Sequence, residues 1–490
     1  MRVAFIAAEC EPWAKTGGLG DVVDALARAL GRLPGALDRP ADVYLPRYRG
    51  VPVPPDASSG PTLDVPDPLS SSGTTSVSLV DVAASGYRLR LVDLPAAFDR
   101  DGFYGDRSGD YPDNAWRFGM FCRTAIEAIR SDGPADILHI HDWHACPVPL
   151  FRDLAGAADP WLGSAAVVLT IHNLAYHGWT ARAHLAELGL EPGDGIVPAG
   201  ADGLDLLRAG IVRSDVANTV SPTYAEEART SGYGFGLEDV LRAKGDRFVG
   251  ILNGLDPVLW DPATDRVLAA RYDRADRTGK AICRRDLLER VEMDPDDDGA
   301  VLGAVGRLDP QKGFDLVAGA GEALLRAGAR LVIQASGHPE IADGLRDLER
   351  RYPRRVRFIE KFDRDMARRI YAGVDLFLIP SRFEPSGQVQ MISLRYGTPP
   401  VARATGGLVD SIVDVTEHPD TGTGFLFGPA TAGALADACV RAMRLRSNEP
   451  AWAALLDRGM AVDFSWGSSA APAYLDLYRR AIEVRRSPAT

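Results

Sequence analysis

The chain has 490 residues, 46% hydrophobic and 25% charged, with a formal net charge of −12. That is the composition of a soluble globular protein too long for one core, so about two to three domains are expected. Without a basic block, sequence-independent nucleic-acid binding through phosphates is excluded, and no apolar run is long enough to span a bilayer, so no membrane partner is expected.

Five widely spaced cysteines (Cys10, Cys122, Cys146, Cys283, Cys439) include no Cys-x-x-Cys pair. They exclude a disulfide framework and a zinc ribbon and fit reduced thiols. The apolar run at residues 3–8 is too short for a signal peptide and is followed by Glu9 and Glu11, so a cytoplasmic protein is expected.

In chain order, residues 3–8 predict a strand, residues 9–20 a loop and residues 21–30 a helix. The loop carries Lys15-Thr16-Gly17-Gly18-Leu19-Gly20-Asp21, where adjacent glycines can expose backbone N–H groups beside a lysine and so suit an anion. The order fits neither a P-loop nor a dinucleotide fingerprint, and a flexible glycine loop with a solvated lysine is equally compatible. Residues 42–45 predict a second strand. Residues 50–78, rich in Pro, Ser and Gly, predict loops or a weak β excursion. After a strand at 87–94, the loop 102–111 offers Tyr104 and Tyr111, aromatic surfaces that either stack on sugar rings or simply pack.

Residues 114–130 have helical periodicity, and the strand at 137–140 ends in His141-Asp142-Trp143-His144. A carboxylate, an indole and two imidazoles at one strand end favour a site, with a metal as the lesser reading. The strand at 165–171 ends likewise in His172-Asn173-Leu174-Ala175-Tyr176-His177-Gly178. A further strand at 216–220 leads into a helix opened by Ser221-Pro222. The run at 248–252 ends in Asn253-Gly254-Leu255-Asp256-Pro257, where a first α/β domain closes. Residues 257–277 read as a connector and an exposed helix, and the Asp-x-Asp within residues 294–298 as a solvated turn.

The strand at 300–305 delivers Gly306-Arg307-Leu308-Asp309-Pro310-Gln311-Lys312-Gly313 before a helix. Arg307 and Lys312 bracket that loop, which suits two phosphates, although two solvated cations would look the same. Strands at 331–335, 356–358 and 376–379 continue the alternation. The last runs into Ser381 to Gly387, where Glu384 precedes Pro385, Ser386 and Gly387 at a strand-to-helix junction and can hold sugar hydroxyls. Thr405-Gly406-Gly407 opens a helix at 408–413 whose free amides could face an anion, or forms an ordinary helix start. Residues 432–446, 452–460 and 468–484 predict terminal helices.

Six motifs in this order, KTGGLGDV (15–22), HDWHA (141–145), HNLAYHG (172–178), NGLD (253–256), the stretch 306–313 and the stretch 380–407, resemble the bacterial glycogen synthases and plant starch synthases. The resemblance covers most of the chain. It implies an α/β fold of two Rossmann-like domains facing across a cleft, of the glycosyltransferase-B type. Residues 1–248 would form the glucan side, 249–464 the nucleotide-sugar side, and 465–490 a helix crossing back.

The implied reaction is retaining transfer of glucose from ADP-glucose to the non-reducing end of an α-1,4-glucan, with no cofactor or metal. UDP-glucose or another glycan is the alternative within enzymes, and a non-catalytic two-domain sugar-binding protein the alternative of another class. By the same resemblance, Arg307 and Lys312 hold the diphosphate, Glu384 binds the donor glucose with Ser386 and Gly387 in its turn, and Lys15, Gly17 and Gly18 meet the phosphates. Thr405, Gly406 and Gly407 complete the donor side. Asp142, His172 and Asn253 line the transferred sugar, and Tyr104 stands near the acceptor. The chain departs from the family's usual wording at Ser386, where Cys is common, and over residues 388–392.

Overall fold

The computed structural model describes residues 1–487. The chain divides into two compact units: Met1–Val220 with Ala225–Gly254 and Trp466–Thr490, and Leu255–Ser465 with the short segment Ser221–Tyr224. The chain enters and leaves the second unit at adjacent points, since Leu255 N–H donates to the Phe464 carbonyl at 2.7 Å.

Among the described residues, the first unit holds a nine-stranded sheet. In spatial order its strands are Phe248–Gly250, Val216–Thr219, Ala166–Ile171, Ile137–His141, Val3–Ile6, Ala41–Pro46, Tyr87–Asp93, Thr74–Ala84 and Ser58–Pro66. All pairings are parallel up to Tyr87–Asp93, and the last two strands are antiparallel. The parallel strands are apolar runs because helices cover both faces of such a sheet. Val3–Ile6, Ile137–His141 and Ala166–Ile171 are buried at every position. The helix Gly18–Arg32 turns Leu19, Val22, Val23, Leu26, Ala27 and Leu30 inward, the spacing of one helical face.

Over residues 50–78, where loops or a weak β excursion were expected, the structure differs in having a strong one. Ser58–Pro66 and Thr74–Ala84 form a long hairpin at the sheet edge. Val65, Val77, Leu79 and Val82 are its buried positions. Alternation is present there but diluted by serine and threonine, and the polar outer face suits an exposed edge. Residues 257–277 also differ: the helix begins only at Thr278, and Thr278–Arg290 buries Cys283, Leu287 and Leu288 rather than lying exposed.

The C-terminal helix Ala471–Arg486 buries Tyr474, Leu477, Tyr478 and Ala481. Its Tyr474 hydroxyl accepts from Asn218 Nδ2 at 3.1 Å, and its Tyr478 hydroxyl lies 2.8 Å from His139 Nδ1. The last helix therefore completes the first unit's core, although 211 residues of the other unit separate it from Gly254 in sequence.

The second unit holds a six-stranded parallel sheet, in the order Val356–Ile359, Arg330–Gly337, Val301–Leu308, Leu376–Ile379, Pro400–Arg403, Phe425–Phe427. Leu302, Ala304, Leu331, Ile333, Leu376, Leu378 and Val401 form its core with Val317, Leu324, Leu345, Leu348 and Leu435 from the helices. The helix Arg364–Gly373 lies close on this sheet: a Cβ at Gly303 would stand 2.8 Å from both Ile370 and Val374. Gly303→Val should therefore overpack the interface and cost about 1–3 kcal/mol. Urea unfolding followed by fluorescence checks this; an unchanged midpoint would mean that the helix is free to move outward.

Candidate active site

In an open α/β sheet, ligands bind beyond the carboxyl ends of the strands where strand order reverses. In the first unit that point lies between Val3–Ile6 and Ile137–His141, whose ends deliver Glu9 and Asp142. Glu9 is buried, and its carboxylate accepts the Thr16 and Gly17 N–H groups at 2.7 and 3.1 Å and the Tyr104 hydroxyl at 2.7 Å. This corrects the expectation of a glycine loop with open amides, because an internal anion already holds two of them. Gly17 and Gly18 still face open space, since a Cβ on either would meet nothing within 4 Å. Lys15 Nζ lies 2.5 Å from Asp21 and 3.6 Å from Glu11.

Asp142 stands at φ +53°, a region a non-glycine residue rarely occupies, directly after the strand. Its Oδ1 accepts the His172 N–H at 2.7 Å. Burial pushes its carboxyl up to about 7; the His172 amide opposes this and Glu9 adds to it. His172, from the neighbouring strand end, has its Nε2 3.0 Å from His141 Nδ1, and burial lowers it to about 3. His144 packs on Tyr104 with ring centroids 4.4 Å apart rather than joining Asp142 as a ligand. Asn253 is buried, and its Oδ1 has no hydrogen-bond partner.

In the second unit the order reverses between Val301–Leu308 and Leu376–Ile379. Lys312 Nζ donates to Glu384 Oε2 at 2.6 Å, and Ser381 Oγ donates to the same oxygen at 2.9 Å. Glu384 is only 5% exposed, whereas the Arg307 side chain is 72% exposed, 3.5 Å from Asp309. The two loops are stitched together. Arg382 N–H donates to the Gln311 carbonyl at 2.7 Å, Gln311 Nε2 to the Phe383 carbonyl at 3.1 Å, and the Arg382 guanidinium grips both oxygens of Asp315.

Thr405-Gly406-Gly407 packs on the Glu384 turn. Gly407 N–H donates to the Glu384 carbonyl at 3.0 Å, so of the two alternatives the sequence left, that amide is not the one open to an anion. The glycines serve close approach: a Cβ on Gly406 would sit 2.1 Å from the Glu384 carbonyl oxygen, and one on Gly407 2.2 Å from that of Ser386. Ser386 is buried, and its carbonyl and that of Gly387 accept from Gln390 Nε2 at 2.9 and 3.2 Å. Gln390 therefore fixes the turn.

Each unit thus gathers its own set: Lys15, Gly17, Gly18, Tyr104, Asp142, His172 and Asn253 in the first, and Arg307, Lys312, Glu384, Ser386, Gly387, Thr405, Gly406 and Gly407 in the second. Glu9 and Ser381 were not singled out as site residues from sequence. Glu9 was legible as an acid ending a buried strand, but Ser381 shows itself only through its bond to Glu384. A cavity of about 1130 Å³ lined by Arg152, Trp161 and Arg485 opens at the entry end of the first unit's strands, opposite these residues. Among the described residues, no group of three or more His, Cys, Asp or Glu side chains is placed to hold a metal ion, and no helix is long and apolar enough to cross a membrane.

Two Rossmann-like units with parallel sheets, each with polar residues at its switch point and one with a lysine–carboxylate pair, have the architecture of glycosyltransferases of the B type. Residues 2–243 match the starch synthase catalytic domain, and residues 299–444 match the glycosyl transferases group 1 model. The glycogen synthase of Koribacter versatilis is 40% identical over 99% of both chains, and that of Halorhodospira halophila is 40% identical over 99% of this chain and all of its own. The catalytic domain of starch synthase IV from Arabidopsis thaliana, bound to ADP and acarbose, superposes with a TM-score of 0.86 at 33% identity, covering 98% of this chain and 99% of that one. The chain belongs to the glycogen synthase and starch synthase family: it is a glucosyltransferase that elongates a glucan.

The geometry at Asp142 has a consequence for stability. With its carboxyl raised from the usual range near 3.8 to about 7, the folded protein holds a proton that the unfolded chain releases. Stability from this group is present below about pH 4 and is lost as pH rises to 7. Asp142→Asn cannot ionise and favours positive φ, so at pH 8 it should gain about 1 kcal/mol, raising Tm by ~1–2 °C, and gain less at pH 5. Thermal unfolding at both values tests this, and an equal gain at pH 5 and pH 8 would refute the buried-charge account.

Proposed function

We propose that this glucosyltransferase uses ADP-glucose and adds its α-glucosyl unit, with retention, to the 4-hydroxyl at the non-reducing end of an α-1,4-glucan, glycogen. The observation that carries this reading is the Lys312–Glu384–Ser381 cluster at the switch point of the second sheet. An ammonium has three N–H donors, and one goes to Glu384, which leaves two for phosphate oxygens. Glu384 Oε2 accepts from both Lys312 and Ser381, which leaves Oε1 for hydroxyls of the donor glucose. The ADP and acarbose held by the starch synthase IV domain support a nucleoside diphosphate and an oligosaccharide as ligands of the same fold.

Cleaving the anomeric bond releases a diphosphate and leaves an oxocarbenium-like sugar. In this reading Arg307 and Lys312 stabilise the leaving diphosphate, the kind of preorganised charge that does most of the work in such sites. Lys15 and Gly18 also meet the donor phosphates, beside Gly17, whose amide Glu9 holds. Asp142, His172 and Asn253 line the transferred glucose, with Tyr104 near the acceptor glucan on the first unit. Ser386, Gly387, Thr405, Gly406 and Gly407 hold the donor turn in shape. The five buried, unpaired thiols support work in the reducing cytoplasm.

Incubating the purified chain with glycogen and either ADP-glucose or UDP-glucose, and measuring incorporated glucose, tests the donor. ADP-glucose should be used much faster, and a preference for UDP-glucose would overturn that assignment. Lys312→Ala should cost about 2–4 kcal/mol of transition-state stabilisation, seen in kcat/KM for the nucleotide sugar. Glu384→Ala should lower kcat strongly in a folded protein, since it removes a sugar ligand and also strands the Lys312 ammonium. Near-normal turnover in either variant removes that residue from the site.

A further inference from the structure

A line of buried imidazoles in the first unit runs from the C-terminal helix to His172. His139 and His141 lie on one face of the strand Ile137–His141, with ring centroids 4.2 Å apart. Burial holds both well below the ordinary histidine range, so the rings are neutral and each carries one N–H.

The hydrogen bonds fix which nitrogen carries it. Asn218 Nδ2 faces the Thr219 carbonyl at 3.3 Å and the Tyr474 hydroxyl at 3.1 Å, so its Oδ1 is the acceptor for Thr170 Oγ1 at 2.7 Å. The Thr170 hydroxyl proton is thereby committed, and Thr170 Oγ1 accepts from His139 Nε2–H at 2.7 Å. His139 Nδ1 is then bare and accepts the Tyr478 hydroxyl at 2.8 Å.

His141 has one polar contact, Nδ1 to His172 Nε2 at 3.0 Å, and its Nε2 is buried with no partner. A buried N–H without an acceptor is costlier than a buried bare lone pair, so the proton belongs on Nδ1. It is donated to His172 Nε2, and the His172 proton sits on Nδ1.

We propose that His139, His141 and Tyr478 are positioning residues for His172: the C-terminal helix locks His139 through Tyr478, His139 packs His141 in place, and His141 Nδ1–H fixes His172 with its own Nδ1–H as the hydrogen-bond donor to a hydroxyl of the bound glucose. This rests on the reading of His172 as lining the transferred sugar. It makes the last helix part of the reaction machinery and not only of the core.

Two measurements test it. In the full chain labelled with ¹⁵N-histidine, ring-nitrogen shifts should report Nδ1–H for His141 and His172 and Nε2–H for His139, with signals assigned by their loss in single variants. His141 in the Nε2–H form would overturn the proposal. This readout needs no substrate, so it stands even if the donor or acceptor reading fails.

In kinetics, Tyr478→Phe should lower kcat about tenfold with KM for the nucleotide sugar unchanged. His141→Leu should lower kcat about a hundredfold, and His141→Asn, whose amide N–H can replace Nδ1–H, should restore most of it, as expected when a misplaced contact is corrected. Wild-type kcat in Tyr478→Phe, or equal losses in His141→Asn and His141→Leu, would overturn it.

Discussion

A parallel sheet covered by helices on both faces has no room for exposed polar side chains along its strands, so its chemistry emerges at the carboxyl ends. Both units obey this constraint. In the first, residues 3–8, 137–141 and 166–171 are buried until the strands stop at Glu9, Asp142 and His172. In the second, the two central strands stop at the loops that carry Lys312 and Glu384.

Three of the site's carboxylates are buried, and each is held differently. Glu9 is surrounded by donors from the glycine loop and Tyr104, Glu384 by Lys312 and Ser381, and Asp142 chiefly by the His172 amide. Burying a charge is costly unless donors compensate. Asp142, raised to about 7 and placed at positive φ, is the least compensated. Backbone strain and an unfavourable charge at one residue are the usual marks of a functional position, where geometry is kept at the expense of stability.

Much of the architecture was legible in the sequence because hydrophobic period and glycine placement are local properties. The strand ends at His141 and His172, the loop 306–313 and the Glu384 turn could be placed by reading where apolar runs stop. The edge hairpin at 58–84 was obscured, since its alternation runs through serines and threonines that resemble a loop. For the glycine loop and the start at Thr405 the sequence left open amides and ordinary local structure as alternatives, and Glu9 and the Glu384 carbonyl hold the Thr16, Gly17 and Gly407 amides; which partner an amide finds depends on elements distant in sequence.

The sequence by itself determined the two α/β alternations, the family and most of the residues at the strand ends, because these follow from local pattern and motif order. Only the tertiary structure decided that Lys312 and Glu384, 72 residues apart, form one hydrogen-bonded unit, and that Tyr478 reaches back 339 residues to His139. The physical reason is that a hydrogen bond is settled within about 3 Å, and a chain's spacing says nothing of such distances until the sheet order and the final helix bring the partners together.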